Sequence, residues 1–275
     1  GLAFSAMRIG TIGYAIQQEG QGFALGLSRS LQEAGPMLAL FLTPFLLKSL
    51  NSTDIFVALF LLSLPALFFA WKLPGASDKT QPREAQRLLK VPSTYNSITL
   101  ISAIVIDGII IVVLGVLFLR YRIDITILNA TALAAFYLGY RRICLVVLAP
   151  LGGWIADKVG IDVVFNISIA FVIAGLLILV GGWVEVGSVI VFTFYSIHAT
   201  VTPGAVTKGE SHLLGAVAEN ATWRDLGAAV GTLLGGFLLT SSHLYATLLI
   251  AIFILLILLL VHLRKNQKVL KTLVV

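Results

Sequence analysis

Apolar runs of about twenty residues, each broken by a short polar turn, recur along the whole chain and leave few folds open to it. At 1.5 Å of rise per residue, a helix of that length crosses the roughly 30 Å hydrocarbon layer of a bilayer. Helices of a soluble core show one apolar stripe instead of runs apolar all round, and the spans of a membrane barrel alternate and are shorter. Composition points the same way: 58% of the residues are hydrophobic and 12% charged, where soluble domains hold about 45–50% and about 25%. The chain reads as an all-α, multi-pass membrane protein whose first partner is the lipid bilayer. Its net charge of +6 then belongs to topology and not to nucleic-acid binding, because basic residues gather on cytoplasmic loops. Cys144, the sole cysteine, sits inside an apolar run, which excludes a disulfide framework or a thiolate metal site within one chain.

The runs predict the end of one span over 1–16 and further spans over 22–47, 55–71, 96–119, 125–151, 163–184, 186–206, 221–239 and 244–261. A kink is expected at Gly35-Pro36. Residues 72–93, with Pro74, Pro82, Pro92 and five basic side chains, form the expected linker. The turn over 152–160 is a tight membrane hairpin in which Gly152 and Gly153 allow close backbone approach and Gly160 ends a helix. The opening Gly1-Leu2-Ala3-Phe4 has no initiator Met, basic n-region or cleavage site, and is expected to start inside a membrane helix. With the basic tail over 264–275 on the cytoplasmic side, alternation places thirteen Lys and Arg inside against Lys48, Arg120 and Arg122 outside. That bias supports the orientation.

Ionisable residues within the runs are costly in hydrocarbon and are the candidates for function. Asp107 lies at the centre of its span, and Arg141-Arg142 lie at similar depth on the next, antiparallel one. One arginine can reach the carboxylate as a buried structural pair, while the other, turned about 100° away, can offer a fork to an anionic group. Tyr137, one turn before Arg141, is a candidate for lining the cavity. Glu33 sits about ten residues into its span, at a depth suited to loading and releasing a proton as solvent access alternates. It equally fits an i,i+4 salt bridge to Arg29. Arg8, Tyr195 and His198 complete the candidate binding residues, each with a packing role as the alternative. Glu219, Arg224 and Asp225 are most simply a solvated helix start. No phosphate loop or metal constellation is present, so no catalytic residue is expected and the chain is not read as an enzyme.

An offset of 195 places Arg29-Ser30-Leu31 on Arg224-Asp225-Leu226, Ala34 on Ala229, and the span over 55–71 on residues 250–266. Duplicated halves leave such a pattern, and parallel repeats occur in secondary transporters. The sequence Gly153-x-x-Ala156-Asp157-Lys158-x-Gly160 resembles the loop signature of the major facilitator superfamily, departing from it at Ile161-Asp162, where the family has a basic pair. Gly22, Gly35 and Pro36 resemble the Gly-Pro motif on the fifth helix of the family's exporters. The resemblance implies two pseudo-repeated halves, the first incomplete: residues 1–71 would end the amino-terminal half from its fourth helix, 72–93 would link the halves on the cytoplasmic side, and 94–263 would form the six-helix carboxyl half. It also implies a gating role for the hairpin residues Gly153, Asp157, Lys158 and Gly160, with Asp157 latching on the helix start over 22–29, against Ser28 or Arg29, where amide dipoles favour an anion. The expected function is secondary transport of a small solute by alternating access in a bacterial inner membrane, with a proton as coupling ion and no other cofactor. Export comes first, from Gly35-Pro36, and organic-anion import second, from the arginines. A membrane sensor or assembly protein that moves nothing is the reading from another class.

Overall fold

A computed structural model describes residues 2–49, 51, 53–55, 57–58, 60–61, 64, 91–121, 125–210 and 212–273. Most of the span expected over 55–71, and the linker apart from 91–93, lie outside the described residues. Among the described residues the regular elements are all helical: α1 (Leu2–Ile16), α2 (Gln21–Ser49), α3 (Thr94–Ser102), a π-helical stretch (Ala103–Ile110), α4 (Ile111–Tyr121), α5 (Ile127–Val159), α6 (Ile161–Val180), α7 (Val184–Thr207), α8 (Leu213–Leu238) and α9 (Leu244–Leu273). Five stretches among them are long and apolar enough to cross a membrane: Thr94–Tyr121, α5, α6, α7 and Leu244–Lys265. Their outward faces carry Leu128, Phe136, Ile250 and Phe253, each more than half exposed. A surface that apolar is a lipid-facing one, and the protein is an integral membrane protein built from helices.

Residues 1–34 with 92–275 form one compact unit, and 35–91 form another. In the second, α2 continues as a helix through Gly35 and Pro36 to Ser49, with no break at the expected kink. Beyond it the Asn51 amide donates to the Asp54 carboxylate at 3.4 Å.

In the first unit, side-chain caps set two helix starts. Ser93 accepts from the Asn96 amide (3.2 Å) at the start of α3, and Thr126 from the Asn129 amide (3.3 Å) at the start of α5. The hairpin differs from expectation: α5 stays helical through Lys158 and Val159, and Gly160 alone turns the chain, at φ 105°. Gly152 and Gly153 are therefore contact positions within a helix and not turn residues. Likewise α7 starts at Val184, so Glu185 lies in its first turn and the corner is Gly181–Trp183. The polar stretch over 213–219 is already part of α8.

The core lies among α3, the π-helical stretch, α4, α6, α7 and α9, with Phe118, Phe165 and Phe192 fully buried. Against it lie Gly227, Gly231 and Gly235 of α8, the first two meeting the Leu100 and Ile104 carbonyls of the facing rod. Gly108, inside the π-helical stretch, lies directly on the Gly231 backbone, where a Cβ on either helix would overlap the other. The turns sort to opposite ends as alternation requires. At one end Lys208 pairs with Asp162, which also accepts from Tyr95 (2.8 Å). At the other, the Tyr121 hydroxyl donates to the Val180 carbonyl, and Arg120 donates to the Ser241 carbonyl (2.8 Å).

Candidate functional site

The first part of α2 runs antiparallel along α5, and the two touch at backbone distance. A Cβ on Gly22 would overlap the Gly153 carbonyl, one on Gly153 the Gly22 carbonyl, and one on Gly26 the Ala149 carbonyl. Glycine is required there because the helix backbones themselves are the contact. One turn further along, the Ser30 hydroxyl donates to the Val146 carbonyl at 2.6 Å. That carbonyl lies four residues before Pro150, which has no N–H to give it, so Ser30 supplies the donor that α5 cannot.

Polar clasps close both ends of this seam. At the first, the Gly22 and Phe23 amides donate to the two oxygens of Asp157, at 2.6 and 2.8 Å. These are free amides in the first turn of α2, where the helix dipole favours an anion. The helix predicted to receive Asp157 does receive it, but through backbone amides and not through Ser28 or Arg29. The side chains at 28 and 29 stand about two turns up the helix, beyond a short carboxylate's reach. At the second clasp, Glu33 accepts from Arg142 and pairs with Arg29 at 3.1 Å. The salt bridge to Arg29 is the simpler of the two sequence readings; the Arg142 contact was not among them.

Arg141, next in sequence, turns the other way and pairs with Asp107 in the π-helical stretch, whose second oxygen accepts from the Tyr195 hydroxyl at 2.6 Å. The two arginines thus serve different carboxylates, as their angular separation requires. Neither is left over to take a ligand in this arrangement.

Other predicted residues fall differently. Tyr137 stacks on Phe118 at 5.5 Å between ring centroids and packs against the apolar core. The α4 aromatic Phe118 takes one face of the ring. Lys158 lies over the Trp154 ring at 3.7 Å, away from the Asp157 clasp. Gly35 has open space where a Cβ would stand, so the tight glycines of α2 are Gly22 and Gly26. Arg8 and His198 are both buried and line one cleft with Tyr195, Asn220 and Arg224.

Arg224 is the residue the sequence reading misplaced. Expected on a solvated helix start, its side chain is 18% exposed and contacts Asp225 at 3.3 Å, while Asp225 also lies 3.6 Å from Arg8. Glu219 is likewise engaged, accepting from Asn96 at 2.9 Å. The early start of α8 carries these residues inward. The signal was present in the offset of 195, which pairs Arg224 with Arg29: each lines a cleft that also contains Arg8. Among the described residues no three His, Cys, Asp or Glu side chains converge to hold a metal ion.

Compared with known protein families, with curated proteins and with solved structures, the chain finds no match.

Proposed function

We propose that this protein is a secondary active transporter of the major facilitator kind, moving a small solute by alternating access in a bacterial inner membrane with its carboxyl terminus in the cytoplasm. The observation that carries the reading is the α2–α5 seam. It is closed by carboxylates at both ends and by backbone contact between them. Such a contact has two natural states, and two states exposing opposite faces are what transport by a rocking bundle needs.

Glu33 is the coupling residue in this reading. As an anion it holds Arg29 and Arg142 together; once protonated it loses the charge that keeps two guanidinium groups beside it, and the seam loses one clasp. Asp157 holds the other clasp and sets the bias between states. The proton is the only coupling species the reading requires. Export remains the first direction, on the Gly35-Pro36 resemblance.

The test is flux. The full-length protein in liposomes is challenged with a panel of small solutes while internal pH is followed. Solute-dependent proton movement is expected in the wild type, with Glu33→Gln cutting it more than tenfold while solute exchange without a pH gradient persists. Saturable binding of a solute with no movement of solute or protons overturns transport in favour of a sensor, and undiminished proton flux in Glu33→Gln overturns the coupling role. The sign of the pH change decides between export and import.

A further inference from the structure

Arg8 and Arg224, on α1 and α8, reach one cleft together with His198 of α7. In this conformation the cleft encloses about 20 Å³, room for an ordered water, so a solute group would enter as the helices part. We propose that this cleft is the binding site for an oxyanion group, a carboxylate or a phosphate, on the solute, with Arg8 and Arg224 as its two cationic jaws. The inference rests on the transport reading only in naming that oxyanion part of a carried solute.

Charge comes first. Two guanidinium groups share a single carboxylate, Asp225, at 3.6 and 3.3 Å, and that carboxylate is 52% exposed and so largely solvated. A structural ion pair needs one arginine. A second one, buried without its own counter-ion, costs stability and is kept where an anion arrives to meet it.

Hydrogen bonding points the same way. Among the described residues the Nε–H groups of Arg8 and Arg224 are buried without a partner, and a guanidinium is a donor only. His198, 1% exposed, has its Nδ1 3.4 Å from the Ser168 hydroxyl, whose proton goes to the Phe165 carbonyl; Nδ1 is therefore the donor, and the unpartnered Nε2 is an acceptor for a water or a solute hydroxyl. The other polar side chains of the wall are occupied. Asn220 donates to Asn96 and Thr99, and Ser102 and Thr202 donate to backbone carbonyls of their own helices. What the two guanidinium groups of this cleft lack is therefore an acceptor. The forked guanidinium matches the two oxygens of a carboxylate or phosphate, and a second fork from across the cleft makes the site selective for an anion over an isosteric amide. The Ala199 carbonyl, deprived of its helical donor by Pro203 four residues on, lies at the same cleft and would take a hydroxyl or a water.

The test is ligand-dependent thermal stability and isothermal titration on the full-length protein in nanodiscs, at constant ionic strength. The probes are succinate, benzoate and inorganic phosphate, with succinamide and benzamide as neutral partners. At least one anion should raise the melting temperature saturably while its amide does not; carboxylates against phosphate identify the oxyanion. Arg8→Gln and Arg224→Gln should each weaken that anion at least tenfold. Both should fold, since the Asp225 they leave is half-exposed and can be solvated. If either does not fold, Arg8→Lys, which keeps the charge and loses the fork, should still weaken binding about tenfold. Stabilisation by amides alone, no effect of any anion, or undiminished affinity in the arginine variants overturns the proposal. Anion binding without flux would overturn the transport reading and leave this site standing; proton flux driven only by neutral solutes would do the reverse.

Discussion

Replacing Asp157 by Asn should open the α2–α5 seam at its first clasp. The amide keeps one carbonyl oxygen for the Gly22 N–H but turns an NH₂ toward the Phe23 N–H, so one of the two bonds at 2.6 and 2.8 Å is lost and the other becomes neutral. A charge-assisted bond contributes about 1.5–3 kcal/mol, and an anion at a helix start about 0.3–1 kcal/mol more. Asp157 is exposed and the Phe23 bond faces water, so solvent competes and the lower part of these ranges applies. The result is about 2 kcal/mol, or about a thirtyfold fall in the ratio of closed to open seam. Spin labels at Gln18→Cys and Val159→Cys, with Cys144→Ser, would report that ratio by pulsed electron-electron distance measurement. The longer-distance population should grow by that factor, with thermal stability little changed. Asp162→Asn is the control, since Asp162 stands just past the same corner but serves Lys208 and Tyr95. An unaltered distance distribution in Asp157→Asn, or an equal shift in Asp162→Asn, would refute the latch.

Two further outcomes follow from contact geometry. Gly153→Ala drives a Cβ into the Gly22 carbonyl, and backbone cannot step aside as a side chain can; the same spin labels should show the seam shifted open by about 1–3 kcal/mol. Gly139→Ala, on the same helix with nothing within 4 Å, should instead be neutral or stabilising by up to about 1 kcal/mol, read from thermal or denaturant unfolding. Arg141→Met leaves the Asp107 carboxylate buried with only Tyr195 and should cost about 3–5 kcal/mol of stability. The double variant Arg141→Met with Asp107→Asn should recover most of that loss in the same unfolding measurement.

What was legible in the sequence is what a single residue or a local run decides. Twenty apolar residues mark a span whatever it packs against, which is why the helices over 94–121 and 161–180 fall where expected. Adjacent residues on a helix diverge by a fixed angle, so the division of labour between Arg141 and Arg142 followed from their being neighbours. Partner choice is not local. That Glu33 meets Arg142, 109 residues away, depends on how α2 lies along α5, and that depends on which glycines face each other. Gly152 and Gly153 looked like turn residues because glycine serves turns and close packing equally well, and only the neighbouring helix tells the two apart. The π-helical stretch was invisible for a related reason: its residues, Ala103–Ile110, are mostly the same apolar, β-branched types as the run that continues into α4. Arg224 was misplaced because a charged cluster beside a polar stretch usually marks a helix start, whereas α8 had begun two turns earlier.

The charges along α5 divide between a cluster facing the core and one facing α2. Arg141 faces the core and is clamped by Asp107, itself held by Tyr195. Breaking that cluster strands a buried charge, so it persists through any motion that α5 makes. Arg142 faces α2, its side chain is 40% exposed, and its partner Glu33 is shared with Arg29. Removing the Glu33 charge therefore leaves Arg142 in contact with water, whereas removing the Asp107 charge leaves Arg141 buried. The seam is the weaker contact because Arg142 at its second clasp is 40% exposed, whereas Arg141 in the core clasp is 10% exposed. Motion that opens α2 from α5 should then carry α5 with α3, α7 and the π-helical stretch as one body, and the loss of the Glu33 charge should leave the Asp107–Arg141–Tyr195 cluster intact.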